Sequence, residues 1–305
     1  MRLVFQNRTV QRTDYAQANS CAAFSAGLAA ALAATSRPIR RAGLPLLVLM
    51  GLLVSLLASA TAYARELPAD PLESVMWESM AERFMPDGEI VFDERVRVMA
   101  PISAENQFHV PVTVDASQLD DVQQIVVVAD LNPIPLVLNM RPEEALSFIG
   151  FRLKLQQTSP IHVGVKTGNG VWHVGYAIVD AAGGGCTAPA AMHATSNWMK
   201  TLGETRAVAL RTDVNTARMT LRMRHPMDTG LAAGIPAFYM NELVVKNAAG
   251  ETVAEMDLFE PVSENPTITL QPRVGSAAEV LRVSTRDTEG NTVDFPLSVP
   301  AATDL

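Results

Sequence analysis

The fold class follows from residues 162–179, which read HVGVKTGNGVWHVGYAIV. Two runs with β-branched and aromatic residues flank Thr167-Gly168-Asn169-Gly170, a tetrapeptide of the kind that turns one strand into the next. This stretch predicts a β-hairpin. Similar strands recur on both sides of it about every 8 to 12 residues, with Gly, Asn, Asp, Ser and Pro between them, so we predict an all-β fold of sandwich type.

The predicted strands fall into two series, with a glycine-rich stretch between them. The first series comprises residues 89–92, 96–99, 109–114, 124–129, 135–139, 148–156, 162–166 and 171–179. The second comprises residues 208–213, 217–223, 240–247, 252–257, 267–271, 280–285 and 292–299. Apolar residues at helical spacing predict a short helix over residues 70–84, ahead of the first series. We therefore predict two antiparallel β-sandwich domains with a short N-terminal helix.

An apolar run of 17 residues, 44–60, follows three arginines and precedes Thr61-Ala62-Tyr63-Ala64. Small residues in an A-x-A arrangement after such a run are typical of a signal peptide. The run is shorter than the roughly 20 residues that span a bilayer. We predict that residues 1–64 are a targeting segment cleaved after Ala64, that the protein is exported, and that no membrane attachment remains after cleavage.

Residues 65–305 contain 18 Lys and Arg against 31 Asp and Glu, a net charge of −13. Such an acidic chain repels nucleic-acid phosphates and anionic lipids. We predict that neither nucleic acid nor membrane is a partner, which leaves proteins with basic surfaces to consider.

Cys186 is the only cysteine after residue 64, because Cys21 lies in the targeting segment. A single thiol in an oxidising compartment indicates burial, pairing with another chain, or chemistry. Gly183, Gly184 and Gly185 precede it, and three extended residues reach about 10 Å. We predict a glycine-rich arm that projects Cys186 from the surface. An ordinary linker with an incidental cysteine and a buried thiol are the alternatives.

The chain therefore divides into four predicted parts. These are the targeting segment 1–64, a first domain 65–182, the arm and linker 183–206, and a second domain 207–305.

Distinctive motifs occur in both predicted domains. In the first domain they are Asn132-Pro133-Ile134-Pro135-Leu136, residues 148–155 and 162–166, and the run that ends in Gly183-Gly184-Gly185-Cys186. In the second they are His225-Pro226-Met227-Asp228-Thr229-Gly230, Gly234-Ile235-Pro236 and Ser263-Glu264-Asn265-Pro266. The first set resembles the sulfur-oxidation carrier SoxY and the second resembles its partner SoxZ, and the resemblance covers nearly all of residues 70–300. The fused arrangement is similar to SoxYZ-like carriers encoded beside quinoprotein alcohol dehydrogenases.

This resemblance implies two immunoglobulin-like sandwiches packed together and a periplasmic carrier without a catalytic site. Cys186 is then the attachment residue for sulfur-containing intermediates, and residues Gly183, Gly184 and Gly185 form the arm. No cofactor or metal is implied apart from the covalently bound sulfur species. The implied partners are periplasmic sulfur-oxidation enzymes or a quinoprotein dehydrogenase system.

Two features depart from the SoxY pattern. Thr187-Ala188-Pro189 stands where glycines are expected after the cysteine, and the arm is tethered at both ends. The tether of 20 residues, 187–206, extends up to about 70 Å, so it does not prevent Cys186 from reaching a partner. No basic residue lies close to Cys186 in sequence, so we expect a partner's cleft to activate the thiol.

Two rival interpretations remain open at this stage. The first is a non-covalent adaptor for a quinoprotein dehydrogenase in which Cys186 is dispensable. The second is a copper chaperone that uses His225 with Met219, Met223 and Met227, although the alternation of the methionines favours core packing. His162 and His173 lie in predicted strands and are expected to be structural, and Trp198 is expected to anchor the linker by packing.

Overall fold

In the computed structural model, which describes residues 67–304, the chain forms 17 β-strands, one α-helix and three short 3₁₀ helices. The first half contains α1 (Trp77–Phe84), β1 (Ile90–Phe92), β2 (Arg97–Met99), β3 (Val110–Asp115), β4 (Val122–Ala129), β5 (Leu136–Arg141), β6 (Ala145–Leu153), β7 (Ser159–Thr167) and β8 (Trp172–Val179). The 3₁₀ helices Ala191–Ala194 and Trp198–Thr201 follow. The second half contains β9 (Thr205–Asp213), β10 (Thr216–Met223), β11 (Asp228–Thr229), β12 (Ala237–Phe238), β13 (Met240–Lys246), β14 (Thr252–Leu258), β15 (Thr267–Pro272), β16 (Glu279–Asp287) and β17 (Thr292–Val299), before the 3₁₀ helix Ala302–Asp304.

Two large sheets form the sandwich. The larger has nine strands in the order β1-β8-β7-β4-β5-β14-β13-β16-β17, and the smaller has six in the order β2-β3-β6-β15-β10-β9. The two-residue strands β11 and β12 form a separate pair. Pairing between the named strands is antiparallel except between β1 and β8, which run parallel. The predicted all-β class, with two immunoglobulin-like sandwiches and a short N-terminal helix, is confirmed.

The two strand series share both sheets. Strand β5 pairs with β14, where Met140 lies opposite Met256, and β6 pairs with β15, where Ile149 lies opposite Leu270. Each sheet therefore continues from the first half of the chain into the second, and residues Arg65–Leu305 cluster as one unit. Single-sequence patterns do not specify which strands pair across the halves, so this sharing was not predicted.

Buried residues on β4 explain why its apolar run is continuous. Ile125 and Val127 belong to the main core between the two sheets, whereas Val126 and Val128 belong to a smaller core on the opposite face. Helix α1 covers that second face, with Trp77 buried against it. Because both faces of β4 are buried, its apolar run is continuous and does not alternate between apolar and polar residues as a half-exposed strand does.

Most predicted elements are present with shifted ends. The hairpin at residues 162–179 forms β7 and β8, and Gly170 has φ +86° in its turn. The predicted helix 70–84 is wrong in its first turns, because α1 begins at Trp77. Before it, the Asp70 carboxylate accepts hydrogen bonds from the backbone N–H groups of Leu72 and Ser74, which form a local turn instead.

Strands β11 and β12 were not predicted, since two residues carry no periodic pattern. The targeting segment 1–64 and its cleavage after Ala64 lie outside the described residues. Within residues 67–304, no helix has the length and apolar character needed to cross a bilayer.

Candidate functional site

Cys186 lies in the segment after β8, and the residue is buried, with 2% of its surface exposed. The backbone N–H groups of Gly184 and Gly185 donate to the carbonyl oxygens of Gln156 and Leu155 at 3.0 and 3.1 Å. The Cys186 N–H donates to Oε1 of Gln156 at 3.2 Å. The prediction that the arm projects from the surface is therefore wrong for this state: the arm is docked on the chain that follows β6.

The arm can dock this closely because glycine has no side chain. A Cβ on Gly185 would lie 2.5 Å from the carbonyl oxygen of Leu155 and 2.6 Å from that of Gln107, distances that no side chain tolerates. Gly183 and Gly184 have φ of +100° and +87°, the left-handed region that favours glycine. The three residues that predict flexibility therefore also allow two backbone segments to approach closely.

The thiol environment contains one basic residue, Lys154, which sequence reasoning missed. The Cys186 Sγ lies 3.7 Å from the backbone carbonyl oxygen of Lys154. Burial raises the pKa of the Cys186 thiol to about 11, against the opposing effect of the Lys154 ammonium. Burial also lowers the pKa of Lys154 to about 8, although Cys186 opposes that change. No local pattern connects two residues 32 positions apart, so only folding brings them together.

The second half of the chain holds the docked arm through the motif at residues 225–230. The Thr229 hydroxyl donates to the carbonyl oxygen of Cys186 at 2.6 Å. The Lys154 Nζ donates to the carbonyl oxygen of Met227. Residues from both halves of the chain therefore hold the arm in its docked position.

A cavity of about 200 Å³ lies beside the arm. Residues from the arm, the linker and both halves line it: Asn106, Phe108, His109, Lys154, Gly185, Ala188, Pro189, Ala190, Ala191, Pro226, Met227, Asp228, Thr229 and Glu264. Desolvation by burial lowers the pKa of His109 in this lining. The cavity adjoins the chain on both sides of Cys186, since Gly185 and Ala188 both border it.

The two carboxylates in the cavity wall are already paired. His193 Nε2 lies 2.8 Å from an oxygen of Asp228. Glu264 accepts hydrogen bonds from the backbone N–H groups of Ala191 and Met192 at 2.6 and 2.9 Å, at the start of the first 3₁₀ helix. The Lys154 ammonium is therefore a buried cation in this wall, and within the described residues its side chain makes one hydrogen bond, to a carbonyl oxygen.

The residues considered for a copper site are buried. Met219 and Met223 are buried in the core between the sheets, as expected for packing. His225 is 2% exposed, and burial lowers its pKa to about 4. Its Nε2 makes no hydrogen bond within the described structure and lies 3.5 Å from Asp287 Oδ2. Residues 67–304 contain no group of three or more His, Cys, Asp or Glu arranged to hold a metal.

The remaining histidines are structural, as predicted. His162 Nδ1 and Nε2 lie 3.0 Å from carboxylate oxygens of Asp130 and Asp70, respectively. His173 Nδ1 lies 2.7 Å from Asp93. Neither imidazole serves Cys186 as a base in the described part of the chain.

Trp198 packs its ring against His193, with the ring centroids 4.8 Å apart. This contact lies within the linker itself, and it is the His193 imidazole that connects the linker to the second half of the chain, through Asp228 in the cavity wall.

Family models match both halves of the chain. The model described as "Sulfur oxidation protein SoxY" matches residues 81–186, and its match ends at the docked cysteine. The model described as "Sulphur oxidation protein SoxZ" matches residues 206–295. No curated protein matches the chain.

Solved structures with detectable similarity include the sulfur carrier protein SoxY from Chlorobium limicola f thiosulfatophilum, at 23% identity and a TM-score of 0.29, covering 34% of this chain and 94% of that one. Fibronectin(III)-like modules of Clostridium thermocellum CbhA match at 6% identity and a TM-score of 0.20, covering 68% of this chain and 95% of that one. The tandem order of the two family matches identifies the chain: it belongs to the fused SoxYZ-like proteins, with a SoxY domain followed by a SoxZ domain.

Proposed function

We propose that this protein is a periplasmic carrier that holds a sulfur-containing group covalently on Cys186 and presents it to sulfur-oxidation enzymes. The observation that carries the proposal is the position of Cys186. It is the only cysteine after residue 64, it ends the SoxY match, and contacts from both halves hold its backbone. The apolar run before Ala64 supports export to the periplasm.

The docked arrangement suits storage better than reaction. A thiol with a pKa of about 11 is protonated at neutral pH, and the thiolate is the nucleophile. Undocking exchanges the hydrogen bonds at Gly184, Gly185 and Cys186 for bonds to water and removes the burial that raises the pKa. We infer that the arm is docked between reactions and leaves its site when a partner enzyme binds it.

Loading requires no external oxidant if the donor is a disulfide or persulfide on the partner. The Cys186 thiolate attacks one sulfur of the donor S–S bond, a new S–S bond forms, and the other donor sulfur leaves as a thiolate. The thiol proton passes to solvent or to a base on the partner. Unloading is the same exchange in reverse, with the acceptor's thiolate attacking the S–S bond at Cys186.

The test is the intact mass of the protein purified from its native source without reductant, followed by peptide mapping of Cys186. We expect an adduct that reductant removes, in mass units of sulfur or of sulfur plus oxygen. The Cys186→Ser variant should carry no adduct and should fail to support growth on the sulfur source. An unmodified Cys186 while the pathway is running would contradict the proposal.

The burial of Cys186 favours a second candidate, a non-covalent adaptor for a quinoprotein dehydrogenase. In this function the docked thiol contributes packing alone. The Cys186→Ser variant separates the two candidates, because an adaptor with this near-isosteric change should keep full activity whereas a carrier should lose it.

A further inference from the structure

Three arginines surround a cleft of about 480 Å³ that no part of the carrier chemistry uses. The cleft lies at an edge of the six-stranded sheet, beside the start of β9 and the end of β10. Its lining consists of Glu204, Thr205, Arg206, Arg222, Arg224 and Asn265. A concentration of guanidinium groups is notable in a chain whose residues 65–305 carry a net charge of −13.

The strand register places two of these charges directly opposite each other. Arg206 on β9 is the Cα partner of Arg222 on β10. Like charges at directly opposite positions destabilise a sheet. Elsewhere in the same sheet Arg97 lies opposite Asp115, with which it forms an ion pair at 2.7 Å. The arrangement at the cleft is therefore unfavourable in the absence of an anion.

No ion pair within the described residues neutralises any of these three charges. Among residues 67–304, none of the three arginines forms an ion pair, although Glu204 also lines the cleft. Arg224 has one hydrogen bond from its side chain, from Nε to the Thr201 hydroxyl at 3.0 Å, which orients its guanidinium. Three guanidinium charges and one carboxylate leave a net charge of +2 on the lining.

We propose that this cleft binds a divalent oxyanion between Arg206, Arg222 and Arg224. Guanidinium groups donate paired hydrogen bonds to tetrahedral and planar oxyanions, and such charge-assisted bonds are stronger than neutral ones. A dianion neutralises the net charge of +2 on the lining and relieves the repulsion between Arg206 and Arg222. A monovalent anion neutralises only one of these two charges. The site does not involve Cys186 and stands whether or not that residue carries sulfur.

The test is isothermal titration calorimetry of the full chain with sodium sulfate at low ionic strength, against sodium chloride at matched ionic strength. We expect saturable binding of one sulfate, no saturable binding of chloride, and at least tenfold weaker sulfate binding by Arg222→Gln. The Cys186→Ser variant should bind sulfate as the wild type does.

Arg282→Gln is the matched control, since Arg282 lies on the other sheet opposite Lys246, another like-charge pair, and does not line this cleft. It should bind sulfate within twofold of the wild type. Sulfate stabilises proteins generally, so the unfolding temperature is compared between variants: sulfate should raise it less for Arg222→Gln than for Arg282→Gln. Absence of saturable binding, or equal weakening by both substitutions, would overturn the proposal.

Discussion

At Cys186, burial and a neighbouring cation act in opposite directions on the same proton. Burial destabilises the thiolate, and the Lys154 ammonium stabilises it, but burial has the larger effect and the pKa rises to about 11. Lys154 is itself destabilised as a cation, with a pKa lowered to about 8. Each group stabilises the charged form of the other, so loss of the lysine charge makes the thiol harder to ionise.

We expect the docked thiol to react slowly and with an unusual pH dependence. Its alkylation by iodoacetamide should rise about tenfold per pH unit from pH 7 to 10, because the thiolate fraction rises in that proportion below the pKa. An exposed cysteine with an ordinary pKa of about 8.5 levels off near pH 9. Measurement of the rate by mass spectrometry checks this, and a plateau near pH 9 would show that the reacting thiol is undocked.

At the scale of single elements, the docked arm depends on how closely Gly185 approaches other backbone. Gly185→Ala places a methyl group about 2.5 Å from a carbonyl oxygen, so the arm should leave its site. We expect alkylation of Cys186 to accelerate at least tenfold at pH 7, measured as above, with the unfolding temperature little changed.

Gly184→Ala is the matched control for this prediction. A Cβ at Gly184 meets no atom within 4 Å, although its φ of +87° makes alanine strained there. This variant should accelerate alkylation less than Gly185→Ala does. Equal rates in both variants would mean that backbone strain, and not steric contact, controls docking.

The segment before α1 is attached to the larger sheet by His162. This imidazole joins Asp130, beyond β4, to Asp70, and the Ser74 hydroxyl donates to the same Asp130 carboxylate. Although burial opposes it, bonding to Asp130 and Asp70 raises the pKa of His162. A raised folded-state pKa gives stability that is fully present below the unfolded value of about 6.5 and is lost as pH rises through the folded value.

His162→Gln should therefore destabilise the fold most at low pH. We expect a cost of about 3 kcal/mol at pH 6, because the substitution leaves two buried carboxylates without their cation. The difference from the wild type should shrink as pH rises above 6.5. Urea unfolding at pH 6, 7.5 and 9 measures it, and a difference that stays constant across this range would contradict the assigned role of the imidazolium.

At the scale of the whole molecule, the two domains are joined by strand pairing as well as by the linker. Four register pairs connect β14 to β5, and β15 pairs with β6 in the other sheet. The main core includes buried residues from both halves, such as Val127 and Leu243. The interface between the domains therefore resembles the interior of one domain.

We expect the two halves to stay together when the linker is cut. A protease site inserted among the exposed residues 194–197 should be cleaved without loss of the native state. The fragments should elute as one species in size-exclusion chromatography, and separate only in denaturant. Elution as two species in native buffer would show that the linker is needed to hold the sheets together.

The sequence by itself determined the all-β class, the two strand series and the SoxY and SoxZ resemblance, and it predicted Cys186 as the attachment residue. These follow from local patterns: alternation, turn residues at 167–170, and motifs at short spacing. Only the tertiary structure decided that the arm is docked, that Lys154 lies near the thiol and that the domains share their sheets. Each of these depends on contacts between residues far apart in the chain, such as Lys154 and Cys186, for which one sequence carries no periodic or local signal.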